Sequence, residues 1–355
     1  MNALIIASNA SSFDEYSYYR DWQEGFLNHP DLQVDFIDLA NIKTGIRVPL
    51  LRKNYDLIVF LHSTHPALDN TRKLSILRWM LKGIRGTRIF FLNNEFRDWQ
   101  AKLDMAEYLG ARFLISQLNT DDARMVYDTW AHEILCMPYG LNPTAYQPVT
   151  VPEDRLIDVG FRGDYYSAYV GHIDRNLLLD RFKDEVLNRY PNTRVDICVG
   201  QRFERDDWAK FLNNCLALVG HEAGMSRVDK DENIRLFVNA QEKRLPAEQF
   251  EKLISIMRET GVFDAPPSGR IAAPRNFDAM GTKTLQILLP GRYNNVLLPG
   301  VHYVELQPDF SNLDRVMETL FDENERSKIV DFAYQDALAN HTYEQRINTL
   351  IRVVS

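Results

Sequence analysis

Polar side chains stand just after three apolar runs of strand length, where a parallel sheet would gather them at one edge. His62 follows the run LIVFL, Glu95 follows IFFLNN, and Glu222 follows LALVGH. A histidine there can donate to a sugar hydroxyl or act as a base near neutral pH. Glu95 would serve as the general base if a reaction inverts configuration, and Glu222 could hydrogen-bond sugar hydroxyls. A structural loop residue is the alternative at each position.

A glycine turn carries a second kind of chemistry. Gly160, Arg162 and Gly163 lie in the segment DVGFRG. Glycines let backbone N–H groups approach an anion, and a guanidinium can bind a diphosphate through two parallel hydrogen bonds. The alternative is a tight strand-to-loop turn with a surface arginine. Arg175, in the helix that follows, is a weaker phosphate candidate whose alternative is a solvated helix charge.

The stretch from residue 273 to residue 290 combines an acid, a base and a helix start. Its proline suits the first helical turn, and Asp278 lies where the helix dipole favours a carboxylate. Gly281 ends the turn, Thr282 follows it, and the run LQILL has strand length. We predict that Gly281 and Thr282 belong to the same ligand-binding site as Arg275 and Asp278. A helix N-terminus with Arg275 beside it suits a nucleotide site, in which Asp278 would accept two ribose hydroxyls. The alternative is an ordinary connection with Asp278 as a dipole partner or paired with Arg275.

The spacing of possible metal ligands does not predict a metal site. Asp229 and Asp231 form an Asp-x-Asp, but they lie in a charged run rather than at a strand end, which favours a solvated cluster. The three cysteines have no CxxC spacing, so they indicate neither a disulfide framework nor zinc. No Walker loop and no G-x-S-x-G segment occurs. We therefore predict no metal, no cofactor and a reducing compartment.

A basic segment runs from Arg72 to Arg88. It holds six bases, and no acid occurs between Asn70 and Asn94. Interleaved apolar residues make it amphipathic, and such a helix can lie on anionic lipid or attract an anionic acceptor. A surface helix that packs its apolar side on its own sheet is the favoured alternative.

Composition limits the class of protein. With 355 residues, 45% of them hydrophobic and 25% charged, the chain has the composition of a soluble protein of two domains. Its net charge of −8 argues against a surface built for nucleic acid. The N-terminus MNALIIAS reads as a strand rather than a signal peptide. We expect a cytoplasmic protein, with peripheral membrane contact through the basic segment left open.

Strand-like runs alternate with helical patterns in two series, which predicts two doubly wound parallel-sheet α/β domains facing across a cleft. The proline-rich stretch PYGLNPTAYQPVTVP separates the series. We place the first domain at residues 1–145, the second at 153–335, and a terminal helix, 336–355, crossing back to the first. Residues 227–269 are more charged and form an insertion with one helix, 246–260. A helix over 324–352 would end the chain.

Several segments resemble known enzymes. The strongest is APRNFDAMGTKTLQILLPGRYNNVLLPGVHYVELQPDFSNL, and weaker ones are MPYGLNPTAYQPV, DVGFRGDYY and YDLIVFLHSTHP. Together they resemble the GT-B-fold glycosyltransferases of the retaining clan that includes glycogen and sucrose synthases. The branch most similar is the family-4-like one related to spore-maturation-type transferases. The likeness spans nearly the whole chain and implies two Rossmann-like domains, the second binding a nucleotide sugar.

The resemblance implies a role for each matching position. Asp278 stands where the family has a glutamate that binds the ribose, and Glu222 resembles an earlier glutamate that contacts the donor sugar. These two are normally eight positions apart, whereas here Arg270 lies eight before Asp278. Arg162 would hold the diphosphate, and His62 would touch the sugar.

The prediction is a glycosyltransferase that moves a sugar from a nucleotide-sugar donor to an acceptor, without metal and, by the resemblance, with retention. The acceptor is a saccharide, a lipid-linked group or a macromolecule. One alternative is a non-catalytic nucleotide- or glycan-binding relative. Another is an enzyme that glycosylates nucleic-acid bases, which the acidic charge balance argues against.

Overall fold

The computed structural model describes residues 1–11, 16–41, 52–68 and 71–354. The chain divides into two compact units, one of Met1–Met137 with Tyr343–Ser355 and one of Pro138–Thr342. Each unit is built on its own parallel sheet. We call them the first and second units.

The first unit holds one six-stranded sheet with helices between its strands. The strands are β1 (Asn2–Ala7), β2 (Gln33–Asp38), β3 (Asn54–Phe60), β4 (Arg85–Phe91), β5 (Phe113–Ser116) and β6 (Glu133–Cys136). The helices are α1 (Ser17–Leu27), α2 (Thr64–Ala67), α3 (Thr71–Met80), α4 (Trp99–Tyr108) and α5 (Thr120–Val126). The order is β2-β1-β3-β4-β5-β6, and every neighbouring pair is parallel.

The core of this unit explains why its strands read as continuous apolar runs. Five of the six β1 residues are buried, because helices cover a parallel sheet on both faces. The last helix of the chain joins this core by packing on α1. The rings of Trp22 and Tyr343 are 4.9 Å apart, and a Cβ at Gly25 would lie 3.0 Å from the Cβ of Tyr343. Gly25 thus permits the close approach of the two helices.

The second unit holds a five-stranded parallel sheet and a small antiparallel pair. The large sheet contains β7 (Ile157–Gly163), β8 (Val195–Val199), β9 (Cys215–Gly220), β12 (Leu285–Leu288) and β13 (Val304–Glu305). The pair is β10 (Ala223–Met225) with β11 (Gly269–Ile271). The helices are α6 (Ile173–Arg189), α7 (Arg205–Asn214), α8 (Asn233–Arg244), α9 (Ala247–Glu259), α10 (Pro274–Gly281), α11 (Leu313–Phe321), α12 (Glu323–Asn340) and, in the first unit, α13 (Tyr343–Val354).

The large sheet has the order β13-β12-β9-β7-β8, so the first strand of the unit lies inside the sheet. Val159 and Phe161 of β7 belong to the main core, with Phe182 of α6 and Leu320 of α11. Gly160 and Arg162 alternate with them and face the other side of the sheet. The predicted α/β class with two parallel sheets is confirmed.

Two predicted helix boundaries differ from the structure. The insertion contains two helices, α8 and α9, where the sequence predicted one. The apolar residues of α8 do not form one buried face, because Leu236 and Phe237 are exposed while Val238 is buried. The single terminal helix is broken between α12 and α13. The N–H of Leu141 donates to the carbonyl of His341 at 2.7 Å, and Leu141 pairs with Thr342 as an isolated bridge. That extended pairing ends α12. In the described ranges no helix is long and apolar enough to cross a membrane.

Candidate functional site

The carboxyl edge of the second unit's sheet gathers most of the candidate residues. Strand β7 ends at Gly163, and β9 is followed at once by His221 and Glu222. Helix α10 places Arg275 beside the end of β7, where its Nη1 donates to the carbonyl of Arg162 at 3.2 Å. The edge is where ligands of open parallel sheets bind.

Two guanidiniums lie side by side over Gly163. A Cβ at Gly163, whose φ is +148°, would be 3.2 Å from Nη2 of Arg275 and 3.3 Å from Nη2 of Arg175. Both guanidiniums also lie over the ring of Phe161, at 5.3 and 5.5 Å from its centroid, and Arg175 lies 3.9 Å from that of Tyr166. Any side chain at position 163 would fill the space that these cations share.

The guanidinium pair has no direct ion-pair partner in the part of the chain that the structure describes, and the charge of Asp278 acts on Arg275 from a greater distance. Among the residues that the structure describes, no carboxylate forms an ion pair with Arg175 or Arg275, and Arg175 Nη2 donates only to the carbonyl of Asp164, at 3.0 Å. Burial lowers the pKa of Arg275 to about 10, with the charge of Arg175 as the next cause. Arg275 therefore remains cationic at neutral pH. Two adjacent guanidiniums without an ion-pair partner among the described residues can bind a doubly charged anion.

Asp278 lies one helical turn after Arg275, on the same side of α10. Its side chain is buried, and its Oδ2 accepts from Nε1 of Trp208 at 2.9 Å. The helix start is fixed by Asn276, whose Oδ1 accepts from the N–H of Ala273 at 2.7 Å. Trp208 therefore orients the carboxylate of Asp278, and Asn276 fixes the start of the helix that carries Arg275.

Glu222 is a buried carboxylate held by backbone donors. Its Oε1 accepts from the N–H groups of Arg292 at 3.0 Å and Tyr293 at 2.7 Å. The backbone approaches closely because a Cβ at Gly291 would be 2.7 Å from the Glu222 carboxyl carbon. Burial raises the pKa of Glu222, while those bonds and Arg270 oppose the rise.

The insertion does not separate Glu222 from the segment that leads into α10. Strand β10 follows Glu222 directly, and Ala223 pairs with Ile271 while Gly224 pairs with Arg270. The two ends of the insertion therefore lie next to each other. Arg270, the residue eight before Asp278, comes close enough to Glu222 to lower its pKa.

The guanidinium of Arg162, which was predicted to hold a diphosphate, pairs with a carboxylate, and its predicted role stays a prediction. Arg162 Nη2 donates to Asp196 Oδ2 at 2.8 Å, and the guanidinium lies 4.4 Å from the ring centroid of Phe211. The reason is the alternation along β7, which sends Arg162 to the face opposite Phe161. Arg175, the weaker phosphate candidate in the sequence, instead stands beside Arg275.

Three further predicted donor residues have packing roles in the structure. A Cβ at Gly160 would lie 2.5 Å from Sγ of Cys215 and 2.7 Å from the ring of Phe211. A Cβ at Gly281 would lie 2.8 Å from the carbonyl oxygen of Tyr146. Thr282 Oγ1 donates to the carbonyl of Asp278 at 3.1 Å and is fully buried. These contacts account for the residue types without a ligand.

His62 lies at the carboxyl edge of the first unit's sheet inside a cluster of aromatic rings. Its ring centroid is 5.1 Å from that of Phe91 and 5.8 Å from those of Tyr18 and Trp22. Burial lowers its pKa to about 3. The imidazole is therefore neutral near pH 7, and its predicted contact with a sugar stays a prediction.

Glu95 is held by three donors in the first unit. Ser116 Oγ donates to it at 2.7 Å, the N–H of Gln117 at 2.6 Å, and the hydroxyl of Tyr127 also donates. Burial raises its pKa, and these three bonds oppose the rise. The bonds join the end of β4 to β5 and α5. Glu95 stays a predicted base, and its geometry supports a structural role.

The basic segment divides into structural and exposed residues. Arg88 donates to the carbonyls of Leu109, Leu81 and Ile84, so it joins α3 to the end of α4. Trp79 is 74% exposed, and Lys82 is exposed beside it. The favoured interpretation, packing on the sheet, holds for the apolar residues Leu77 and Leu81, which are buried.

No group of three metal-ligating side chains occurs in residues 1–11, 16–41, 52–68 and 71–354. Asp229 Oδ2 accepts from the N–H of Ile234 at 2.7 Å, so this residue of the Asp-x-Asp holds the start of α8.

Sequence reasoning missed several residues of the site. No sequence motif marks three of them, which are Trp208, His172 and Arg270. They lie on or beside α7, α6 and β11, and only folding brings these elements to the same region of the unit. The sequence offered one clue: Arg270 stands eight positions before Asp278, where the resembled family has a glutamate. By itself that clue indicates the absence of a carboxylate, not the presence of a useful cation.

No protein-family model matches the sequence, and a comparison with curated proteins finds no match. Among solved structures, the chain resembles HepE from Anabaena in complex with UDP-glucose, at 12% identity and TM-score 0.50, over 99% of this chain and 100% of that one. It also resembles the DNA modifying enzyme beta-glucosyltransferase, solved with and without uridine diphosphoglucose, at 15% identity and TM-score 0.54, over 100% and 99%. The fold is therefore GT-B.

Proposed function

We propose that this protein is a glycosyltransferase that moves a sugar from a nucleotide-sugar donor, and that its second unit binds the donor. The observation that carries the proposal is the pair Arg175 and Arg275 over Gly163, without carboxylate partners in the described residues. A nucleoside diphosphate has two adjacent anionic groups that match such a pair. The GT-B fold is compatible with this proposal, and the site residues carry it.

In this proposal each residue of the edge has one task. The guanidiniums of Arg175 and Arg275 bind the diphosphate and stabilise the charge that develops on it as the sugar leaves. Asp278, one turn along α10, accepts hydroxyls of the ribose. Glu222, rigidly held by two backbone donors, accepts hydroxyls of the transferred sugar.

Two finer features belong to the same proposal. Because the arginine pair supplies positive charge, the transfer needs no metal to neutralise the leaving diphosphate. Retention of configuration follows from the resemblance of the stretch around Asp278 to the retaining clan. The first unit, with His62 at its sheet edge, would serve the acceptor side.

The first test is a thermal-shift screen of the protein against UDP, GDP, ADP, CDP and TDP. We expect at least one nucleoside diphosphate to raise the melting temperature by mass action. Arg175→Ala and Arg275→Ala should each weaken its binding about 10-fold or more, as the loss of a charged hydrogen bond predicts. Arg181→Ala is the matched control, because Arg181 lies on the same helix and pairs with Glu185. Equal binding by all variants would contradict the site.

The second test separates an enzyme from a non-catalytic nucleotide-binding relative. Slow release of nucleoside diphosphate from a nucleotide sugar in water needs no acceptor and can be followed directly. We expect the wild type to release it and Glu222→Ala and Asp278→Ala to release it more slowly. A wild type that binds the nucleotide sugar tightly but never cleaves it would favour the non-catalytic alternative.

A further inference from the structure

Two buried histidines meet edge to face beside the arginine pair. His172 is the N-cap residue of α6 and is 2% exposed, and His221 follows β9 and is 5% exposed. Their ring centroids are 4.8 Å apart, at an interplanar angle of 76°. The proposed roles of Arg175, Arg275, Asp278 and Glu222 do not use either ring.

Among the described residues His172 forms no hydrogen bond through its ring, and His221 forms one. Neither Nδ1 nor Nε2 of His172 has a partner, although both atoms are buried. His221 Nδ1 lies 3.2 Å from the carbonyl oxygen of Glu222, so Nδ1 must carry the proton and Nε2 presents a lone pair in a neutral ring. Buried polar atoms normally have partners, so the nitrogens of His172 can each accept or donate one further hydrogen bond, to a ligand or to a water.

The surroundings place the histidines next to the proposed diphosphate site. Arg175 and His172 both contact the ring of Tyr166. The guanidinium lies 3.9 Å from the ring centroid, and the imidazole centroid lies 5.8 Å from it. Arg270 also lies nearby, and its Nη2 donates to Oγ of Ser226 at 3.0 Å. A Cβ added at Gly171, the residue before His172, would lie 3.0 Å from the Cβ of Ser226.

Both rings are neutral at physiological pH. Burial lowers the pKa of His172 to about 2 and that of His221 to about 4, and the charges of Arg270 and Arg175 act in the same direction on both. Glu222 and Asp174 are the acids near His221; the backbone bond to Glu222 and the charge of Asp174 oppose the shift without reversing it. A neutral imidazole offers one donor and one acceptor, which suits a hydroxyl group better than a phosphate.

We infer that His172 and His221 form a sugar subsite, in which their ring nitrogens hydrogen-bond hydroxyls of the transferred sugar while Arg175 and Arg275 hold the diphosphate. The inference rests on the proposed function, since it assigns the sugar to the space beside the same donor site. It makes the histidines positioning residues that select a hydroxylated, uncharged sugar.

The experiment compares calorimetric titrations of UDP and UDP-glucose into the wild type, His172→Ala and His172→Gln. If the subsite exists, His172→Ala weakens UDP-glucose binding about 5-fold or more and leaves UDP binding unchanged. His172→Gln, which keeps a donor and an acceptor, recovers part of the loss. His132→Ala, a change to an exposed histidine of the first unit, leaves both affinities unchanged.

Other outcomes overturn the inference. If His172→Ala binds UDP-glucose as the wild type does, or loses UDP and UDP-glucose equally, His172 does not contact the sugar. The melting temperature of each variant shows whether a loss of binding is caused by unfolding. If His172→Ala is unfolded, the folded His172→Gln variant is used instead, and its affinities for UDP and UDP-glucose are compared with those of the wild type. If the wild type binds UDP but gains nothing from the glucose, the subsite is wrong while the donor site stands. If it binds none of the five nucleoside diphosphates and no UDP-glucose, the proposed function fails and the subsite with it.

Discussion

Gly224 and Arg270 lie opposite each other in the antiparallel pair β10–β11. The pair closes the base of the insertion, so residues 226–268 begin and end at adjacent points of the second unit. It also keeps Arg270 near Glu222. The backbones are in such close contact that a Cβ at Gly224, whose φ is +84°, would be 1.9 Å from the carbonyl oxygen of Gly269.

Gly224→Ala should therefore lower the free energy of unfolding by at least ~2 kcal/mol, since the new methyl group would separate the two strands. Urea unfolding of the purified variant measures this. Gly261→Ala is the matched control, because Gly261 has φ +70° but no atom within 4 Å of its added Cβ, so only the backbone cost of ~1 kcal/mol is expected. Equal losses in the two variants would contradict close contact at Gly224.

Glu222→Gln should leave the protein at least as stable as the wild type at pH 7 while reducing donor cleavage about 10-fold or more. The amide oxygen can still accept from the backbone N–H groups of Arg292 and Tyr293. Burial raises the pKa of Glu222 in the folded state, so the folded protein binds a proton more readily than the unfolded chain does. Wild-type stability therefore falls relative to the variant as pH rises from about 4.5 through the raised pKa.

Urea unfolding of both proteins at pH 4 and pH 8 measures this difference. The prediction is contradicted if the stability of the variant, measured relative to the wild type, is lower at pH 8 than at pH 4. That result would show that the charged carboxylate stabilises the fold.

Arg162→Gln should reduce stability without weakening nucleotide binding. The change removes the ion pair with Asp196 and the contact with Phe211, at a cost of ~1–2 kcal/mol. The Kd for the nucleoside diphosphate should change less than about 2-fold, because its phosphates are assigned to Arg175 and Arg275. Arg275→Gln should show the opposite pattern in the same titration. A large loss of affinity in Arg162→Gln would restore Arg162 to the donor site.

His62→Phe should preserve packing at neutral pH, because the ring lies among Phe91, Tyr18 and Trp22. The pKa of His62 is lowered to about 3, so its neutral form stabilises the fold above pH 6.5, and this contribution is lost as pH falls toward 3. The variant should therefore lose less stability than the wild type between pH 7 and pH 4, measured by urea unfolding. If it cleaves the donor as fast as the wild type does, the predicted sugar contact of His62 is wrong.

The exposed part of the basic segment should bind anionic membranes. Trp79 and Lys82 present an aromatic ring and a charge together, the combination that favours a lipid interface. Cosedimentation with vesicles of anionic lipid should decrease for Trp79→Ala and Lys82→Glu. Arg124→Glu, the same charge change at an exposed arginine of α5, should have no effect. Binding that is equal in all four proteins, or absent in the wild type, would contradict the surface.

The sequence by itself determined the sheets and the edge where polar residues gather. Continuous apolar runs such as ALIIA and LALVG, four to eight residues long and bounded by polar residues, are typical of strands buried on both faces, and such burial requires helices on both sides of the sheet. The same logic located Asp278, Arg275 and Glu222, because each follows or precedes such a run. Helices were harder to predict where apolar residues do not line one buried face, as in α8, whose Leu236 and Phe237 are exposed.

Only the tertiary structure decided which of these residues act together. Arg162 and Arg275 look alike in sequence, yet strand alternation turns Arg162 toward Asp196, whereas α10 brings Arg275 beside Arg175. Likewise, the long insertion separates Glu222 from α10 along the chain, and the pairing of β10 with β11 brings the flanking segments together again. Local residue patterns record the faces of single elements; contacts between distant elements depend on how those elements pack.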